Sequence, residues 1–101
     1  MRLIKKGIAL GNQGKYNEAI KCFNEAIRLD PKEVDAWNNK GVALVIQEKY
    51  DEAIKAFDEA IRLDPNLAGA WNNKGVALKA LGRTTESNTA FAKAKELGYK
   101  G

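Results

Sequence analysis

A nine-residue string, AWNNKGVAL, occurs at residues 36–44 and again, 34 residues later, at 70–78. The same shift lays EAIKCFNEAIRLDP at 18–31 over EAIKAFDEAIRLDP at 52–65. Single-residue columns extend the register over the whole chain: Gly7, Gly41 and Gly75; Phe23, Phe57 and Phe91; Ala26, Ala60 and Ala94. Self-similarity at a fixed period of about 20–50 residues marks stacked supersecondary units, none of which can bury its apolar face alone. The 101 residues therefore divide into units 1–33, 34–67 and 68–101, together one repeat domain.

Each unit reads as two helices. Trp37, Gly41 and Leu44 recur at i, i+4 and i+7, one face of a helix. After the polar break at Gln47, Glu48 and Lys49, a second stripe runs through Ala53, Ile54, Phe57, Ala60 and Ile61. Asp51–Lys55 and Asp58–Arg62 are expected as i, i+4 pairs on its wet side, worth about 0.2–0.5 kcal/mol each. Asp30-Pro31 and Asp64-Pro65 end the second helices, because proline disfavours the α region for the residue before it. Gly14 and Gly82 mark the inner turns. Mid-helix glycine costs about 1 kcal/mol against alanine. Its recurrence at 7, 41 and 75 therefore implies a steric need, with Gly41 expected to face Ala53 on the partner helix.

The pattern of Trp37, Gly41, Leu44, Tyr50, Ala53, Phe57, Ala60 and Pro65 resembles the tetratricopeptide repeat signature. The resemblance covers the whole chain. It implies an all-α fold, an α-solenoid of three helix–turn–helix repeats wound into a right-handed superhelix. The chain departs from the signature in places. Lys6, Lys40 and Lys74 replace the usual leucine, so their stems are expected to lie on apolar surface while the ammonium reaches water. The third unit has Thr84 for tyrosine, Ser87 for alanine and Tyr99 for proline, which should weaken its second helix.

Composition removes several function classes. There is no histidine and a single cysteine, Cys22, so the common zinc and transition-metal sites have no ligand set and no cofactor is expected. Cys22 aligns with Ala56 and Ala90 and reads as a small residue in a packed slot. Carboxylates lie opposite lysines and arginines at helical spacing, and no glycine-rich loop follows a strand, so the chain is not expected to be an enzyme. No stretch approaches the roughly 18 apolar residues that a spanning helix requires, and no secretory leader is evident. The expected location is cytoplasmic, without a membrane partner.

The two ends differ. Ile20 and Ile54 align with Asn88, and Ile27 and Ile61 with Lys95. Both apolar positions that a following helix would cover have become polar, as expected of a C-terminal cap that closes the array. Met1, Leu3, Ile4 and Ile8 keep the other end apolar, with a short or frayed first helix that could stack on another copy as a homo-oligomer.

In the resembling family the first helix of each repeat lines the concave face, where peptides bind. Carried onto this chain, Ile8, Val42 and Val76 form an apolar ridge, widened by Ile4 and Ile46. Asn38, Asn39, Asn72 and Asn73 lie beside it, each amide offering donors and an acceptor to an extended backbone. Lys5 and Lys79 are its cations, with Met1, Gly11, Asn12 and Asp35 also on this side. The expected partner is a short hydrophobic peptide or an amphipathic helix. Some relatives grip chaperone tails with a two-carboxylate clamp. Its positions map to Ile4, Ile8, Asn39, Gly69 and Asn73, of which only Asn39 has the clamp residue type, so that mode is not expected. Two alternatives to peptide binding are a self-associating structural module and an RNA-reading helical repeat. A groove with two lysines lacks the basic track that RNA requires, so nucleic acid is not the expected partner.

Overall fold

The computed structural model describes residues 2–100, so Met1, expected in the groove, lies outside them. Six helices follow in order: α1 Arg2–Asn12, α2 Tyr16–Leu29, α3 Val34–Ile46, α4 Tyr50–Leu63, α5 Ala68–Ala80 and α6 Thr84–Glu96. Among the described residues there is no strand, and no helix is long and apolar enough to cross a membrane. Short turns make successive helices antiparallel neighbours. Each helix packs on the next in the chain, α1 and α5 also touch α3, and among the described residues no other pair of helices is in backbone contact. The result is a slab of 35 × 24 × 21 Å in which order along the chain is also order in space.

The inner turns share one construction. Gly14 and Gly82 adopt φ values of +79° and +77°, in the left-handed region that glycine enters without penalty. Glu48 holds the equivalent position of the middle unit at φ +62°, the single non-glycine residue in that region among those described. In all three turns the following amide closes onto the preceding helix: Lys15 onto Leu10, Lys49 onto Leu44 and Arg83 onto Leu78, each at 2.9 Å. These bonds occupy carbonyls that a helix end otherwise leaves open.

The turns between units are built differently. The Asp30 carboxylate accepts the Lys32 amide at 3.1 Å, and Asp64 accepts that of Asn66 at 3.2 Å. The Trp37 and Trp71 indole N–H groups then donate back to the carbonyls of Pro31 and Pro65, each at 2.9 Å. The last helix has no such proline; it ends at Glu96, and the chain turns at Gly98, φ +103°, with the Tyr99 amide bonding to Ala94 at 3.0 Å.

The glycine column has a partner in the phenylalanine column. A Cβ on Gly7 would lie 2.5 Å from the Phe23 ring, and one on Gly75 would lie 2.7 Å from Phe91. On Gly41 it would overlap the Phe57 ring. The steric need is thus a flat ring laid on bare backbone, with Phe57 supplying the atoms nearest to Gly41. Ala19 and Ala53 are fully buried beside these rings. Ser87 takes the equivalent place in α6 and loses little, because its hydroxyl donates to the Gly75 carbonyl at 2.9 Å. A buried hydroxyl that finds an acceptor avoids most of its desolvation penalty. The outer face of α6 is polar, with Thr84, Thr85, Asn88, Thr89 and Lys95 all exposed.

The surface charges pair otherwise than their spacing suggests. Arg62 bonds to Glu59, one turn back, and Arg28 to Glu25 in the same way. Asp58 leaves its own helix and meets the Lys74 ammonium on α5 at 2.7 Å. Lys40 and Lys74 are half-buried, as their long stems allow, but each ammonium sits over the tryptophan one turn back, 5.5 Å from Trp37 and 5.7 Å from Trp71.

Candidate functional site: an apolar groove along the first helices

With α2 and α4 filling the other layer, α1, α3 and α5 lie side by side. Val42 and Ile46 stand on the side of α3 opposite Trp37 and Leu44, about half a turn away at 100° per residue. They remain 36% and 51% exposed, and Ile8 and Val76 are exposed beside them on α1 and α5. Apolar side chains left open at one register position in the first helix of each unit form a continuous strip.

Two recesses follow this strip. The larger, about 340 Å³, lies between α1 and α3 and is bounded by Ile8, Asn39, Val42 and Ile46, with Gly11 and Asn12 at its end. Tyr16, the first residue of α2, also lines it. The smaller, about 70 Å³, lies between α3 and α5 among Val42, Ile46, Asn73 and Val76, over the Phe57 ring. Val42 and Ile46 belong to both and join them. Among the described residues, no charged side chain lines either recess.

Six of the expected groove residues are therefore brought together: Ile8, Asn39, Val42, Ile46, Asn73 and Val76. Asn38 and Asn72 are half-buried at the strip's edge, and the Asn73 amide donates to Asn38 Oδ1 at 3.3 Å. That bond ties α3 to α5 and commits part of the amide capacity to the fold. Lys5 and Lys79 are exposed but line neither recess. Ile4 is a correction. It is 3% exposed and packs with Ala19, Phe23, Ala26 and Ala36 in the core of the first unit. It stands three residues before Gly7, on the face of α1 that meets α2, and so cannot widen the strip. Tyr16 was missed because it belongs to a second helix; its alignment with Tyr50 was the signal available.

Groups suited to chemistry do not converge here. Cys22 is half-buried on α2, and no three His, Cys, Asp or Glu among the described residues form a metal-holding group. The carboxylates held away from their ordinary value sit in exposed ion pairs away from the groove. Hydrogen bonds from Arg28, Arg62 and Arg83 hold Glu25, Glu59 and Glu86 below the usual carboxylate value.

Paired helices stacked in sequence, each unit resting on the next, define an α-solenoid repeat protein. The sequence model of the tetratricopeptide repeat matches residues 4–68 and again 47–98, and the chain belongs to that family. The second TPR of Spaghetti (RPAP3), solved bound to the HSP90 peptide SRMEEVD, superposes with a TM-score of 0.93 at 29% identity. That match covers 95% of this chain and 89% of the other. The first TPR of the same protein, bound to the same peptide, gives a TM-score of 0.94 at 28% identity over 95% of this chain and 76% of that one. An uncharacterised protein of Methanocaldococcus jannaschii is 49% identical over 35 residues, which are 35% of this chain and 41% of that protein. The match thus spans less than half the length of that relative.

Proposed function

We propose that this chain is a non-catalytic protein-interaction scaffold, one repeat domain over residues 1–101, that holds an apolar peptide or one face of an amphipathic helix along α1, α3 and α5. The observation that carries this reading is the strip of Ile8, Val42, Ile46 and Val76. These residues are exposed side by side, joined by two recesses and edged by the Asn39 and Asn73 amides. An apolar floor with amide edges suits a ligand that buries alternate or i, i+4 side chains while its backbone takes hydrogen bonds. The Spaghetti domains bound to an acidic HSP90 peptide support peptide binding by this architecture. The chemistry of this groove favours a different peptide, because among the described residues no cation lines its recesses and Ile8, Gly69 and Asn73 stand at clamp positions. The same lack of cations disfavours RNA.

Peptide display tests the reading, with the wild-type chain set against Val42→Glu and Asn39→Ala and the fold of each checked by circular dichroism. Apolar peptides should be enriched by the wild type. Val42→Glu should weaken their binding by about tenfold or more, the effect of a charge set in an apolar contact. Retention of every selected peptide by both variants would sink the groove.

A second reading rests on a separate observation. Leu29 is 62% exposed and borders a recess of about 440 Å³ with Leu3, Ile4 and Ala26, at the outer end of the first unit. A second copy could occupy this recess. Sedimentation over a wide concentration range decides: a monomer throughout removes this alternative.

A further inference from the structure

A recess larger than either of those along the strip lies away from the groove, between α2 and α4 over α3, and shares no residue with them. It is an open cleft of about 590 Å³ with an apolar floor of Ile20, Trp37 and Leu44. Its rim carries Lys21, Lys40, Lys49 and Lys55 against one carboxylate, Glu52, a formal charge of +3. None of the four lysines forms an ion pair among the described residues.

The repeat supplies an internal control. Moved on by 34 residues, the same positions fall between α4 and α6, with the same apolar floor in Ile54, Trp71 and Leu78. The charges there differ. Asp51 and Asp58 replace Asn17 and Asn24, Arg83 replaces Lys49 and Thr89 replaces Lys55. Three cations, Lys55, Lys74 and Arg83, then stand against Asp51, Asp58 and Glu86, and the formal charge is zero. Two of these cations are paired: Lys74 with Asp58 and Arg83 with Glu86, both at 2.7 Å. Arg83 also feels Asp51 and Asp58, and Glu86 feels Lys74, so these positions satisfy their own charge. On one scaffold, therefore, one set of positions is neutralised from within and the other is left with uncompensated lysines.

We propose that the cleft between α2 and α4 is a second docking site, which takes an acidic segment of a partner protein with carboxylates on the lysine rim and an aliphatic side chain on the floor. The lining selects this occupant over a nucleic acid. The Trp37 face already carries the Lys40 ammonium at 5.5 Å and is not free to stack on a base. Among the described residues no arginine lines the cleft to grip phosphate in a bidentate fork, whereas lysines act as point charges toward carboxylates.

The test uses a fluorescein-labelled Glu-Glu-Leu-Glu-Glu-Leu peptide and its Gln-for-Glu counterpart, followed by fluorescence anisotropy on the full chain. Asn17→Asp with Asn24→Asp introduces the two carboxylates of the neutral counterpart, lowers the formal charge of the cleft from +3 to +1 and keeps an oxygen to accept the Gln47 amide, now at 2.6 Å from Asn17. This double variant, and Lys21→Gln with Lys55→Gln, should each weaken the Glu peptide about tenfold or more, less so in high salt. Lys95→Gln on α6 and Val42→Ser in the groove should change it by less than about twofold. Equal binding of the Gln peptide overturns the proposal, as does indifference to Asn17→Asp with Asn24→Asp. A loss with Lys95→Gln as large as with the cleft variants reduces the effect to net charge and also overturns it. Displacement of the peptide by a lower concentration of polyuridylate assigns the cleft to RNA instead.

Discussion

The Trp37 indole N–H donates to the Pro31 carbonyl at 2.9 Å, so the residue that ends one unit is held by the ring that opens the next. Proline interrupts the helix and leaves its carbonyl without a helical partner. The indole supplies one, while its face carries the Lys40 ammonium. Trp37→Phe keeps an aromatic ring but removes the donor, and should lower unfolding free energy by about 1 kcal/mol or somewhat more. Urea denaturation measures it. An unchanged midpoint would mean that water replaces the indole at no cost.

Two glycine-to-alanine changes should have opposite signs. Gly41 lies under the Phe57 ring, and a methyl there must displace a fully buried aromatic. Gly41→Ala should destabilise by about 1–3 kcal/mol, overpacking outweighing the gain in helix propensity. Nothing lies within 4 Å of the Cβ position at Gly11, also in a helix. Gly11→Ala should stabilise by up to about 1 kcal/mol. Thermal melts of the pair decide; the same sign for both would refute the ring-on-backbone account.

Glu48 stands at φ +62° where its counterparts are Gly14 and Gly82. A side chain in the left-handed region is strained by about 1 kcal/mol, which glycine relieves. Glu48→Gly should therefore raise stability by about that amount, less the entropy glycine adds to the unfolded chain. Most glycine substitutions destabilise, so a raised melting temperature here would be diagnostic, and a lowered one would show the turn to be relaxed.

Acid should weaken the fold slightly through three exposed pairs. Arg62, by its hydrogen bond first and its charge second, holds Glu59 below the ordinary value of 4.5, and Glu25 and Glu86 are lowered in the same way. A depressed folded pKa gives stability that is present above the unfolded value and lost as pH falls through the folded one. Stability should therefore drop between about pH 5 and pH 3, less so in high salt, since these groups are open to solvent. Glu59→Gln should flatten that drop. A variant as acid-sensitive as the wild type would assign the effect to other carboxylates.

The 34-residue shift fixes where helices start and stop, because α2 and α4 begin at Tyr16 and Tyr50 and end at Leu29 and Leu63. It also makes the strip legible, since Ile8, Val42 and Val76 occupy one column and a column keeps its direction from unit to unit. Ile4 misleads because its column continues as Asn38 and Asn72, polar residues that are themselves half-buried. Gly41 called for a close approach, but whether a ring or a methyl met it depended on how α3 and α4 cross. Charges were least legible. Spacing cannot tell that Asp58 prefers Lys74 in the next unit to Arg62 in its own helix. The lysine cleft needed α2, α3 and α4 in place before its four cations could be seen as neighbours.

The absence of contacts beyond next-but-one helices has a consequence for how the molecule comes apart. A globule whose first and last segments interlock must lose everything at once. Here α1 and α6 each lean on the array from one side, while α3 and α4 are held from both. Opening is cheapest at the ends and dearest at Phe57, which is fully buried at the centre, whereas Phe91 in the last unit is half-buried. Amide exchange should therefore rise outward from the middle unit in both directions. A ligand that spans the strip from Ile8 to Val76 would fasten both loose ends to that centre, and the breadth of its footprint would set how far protection spreads.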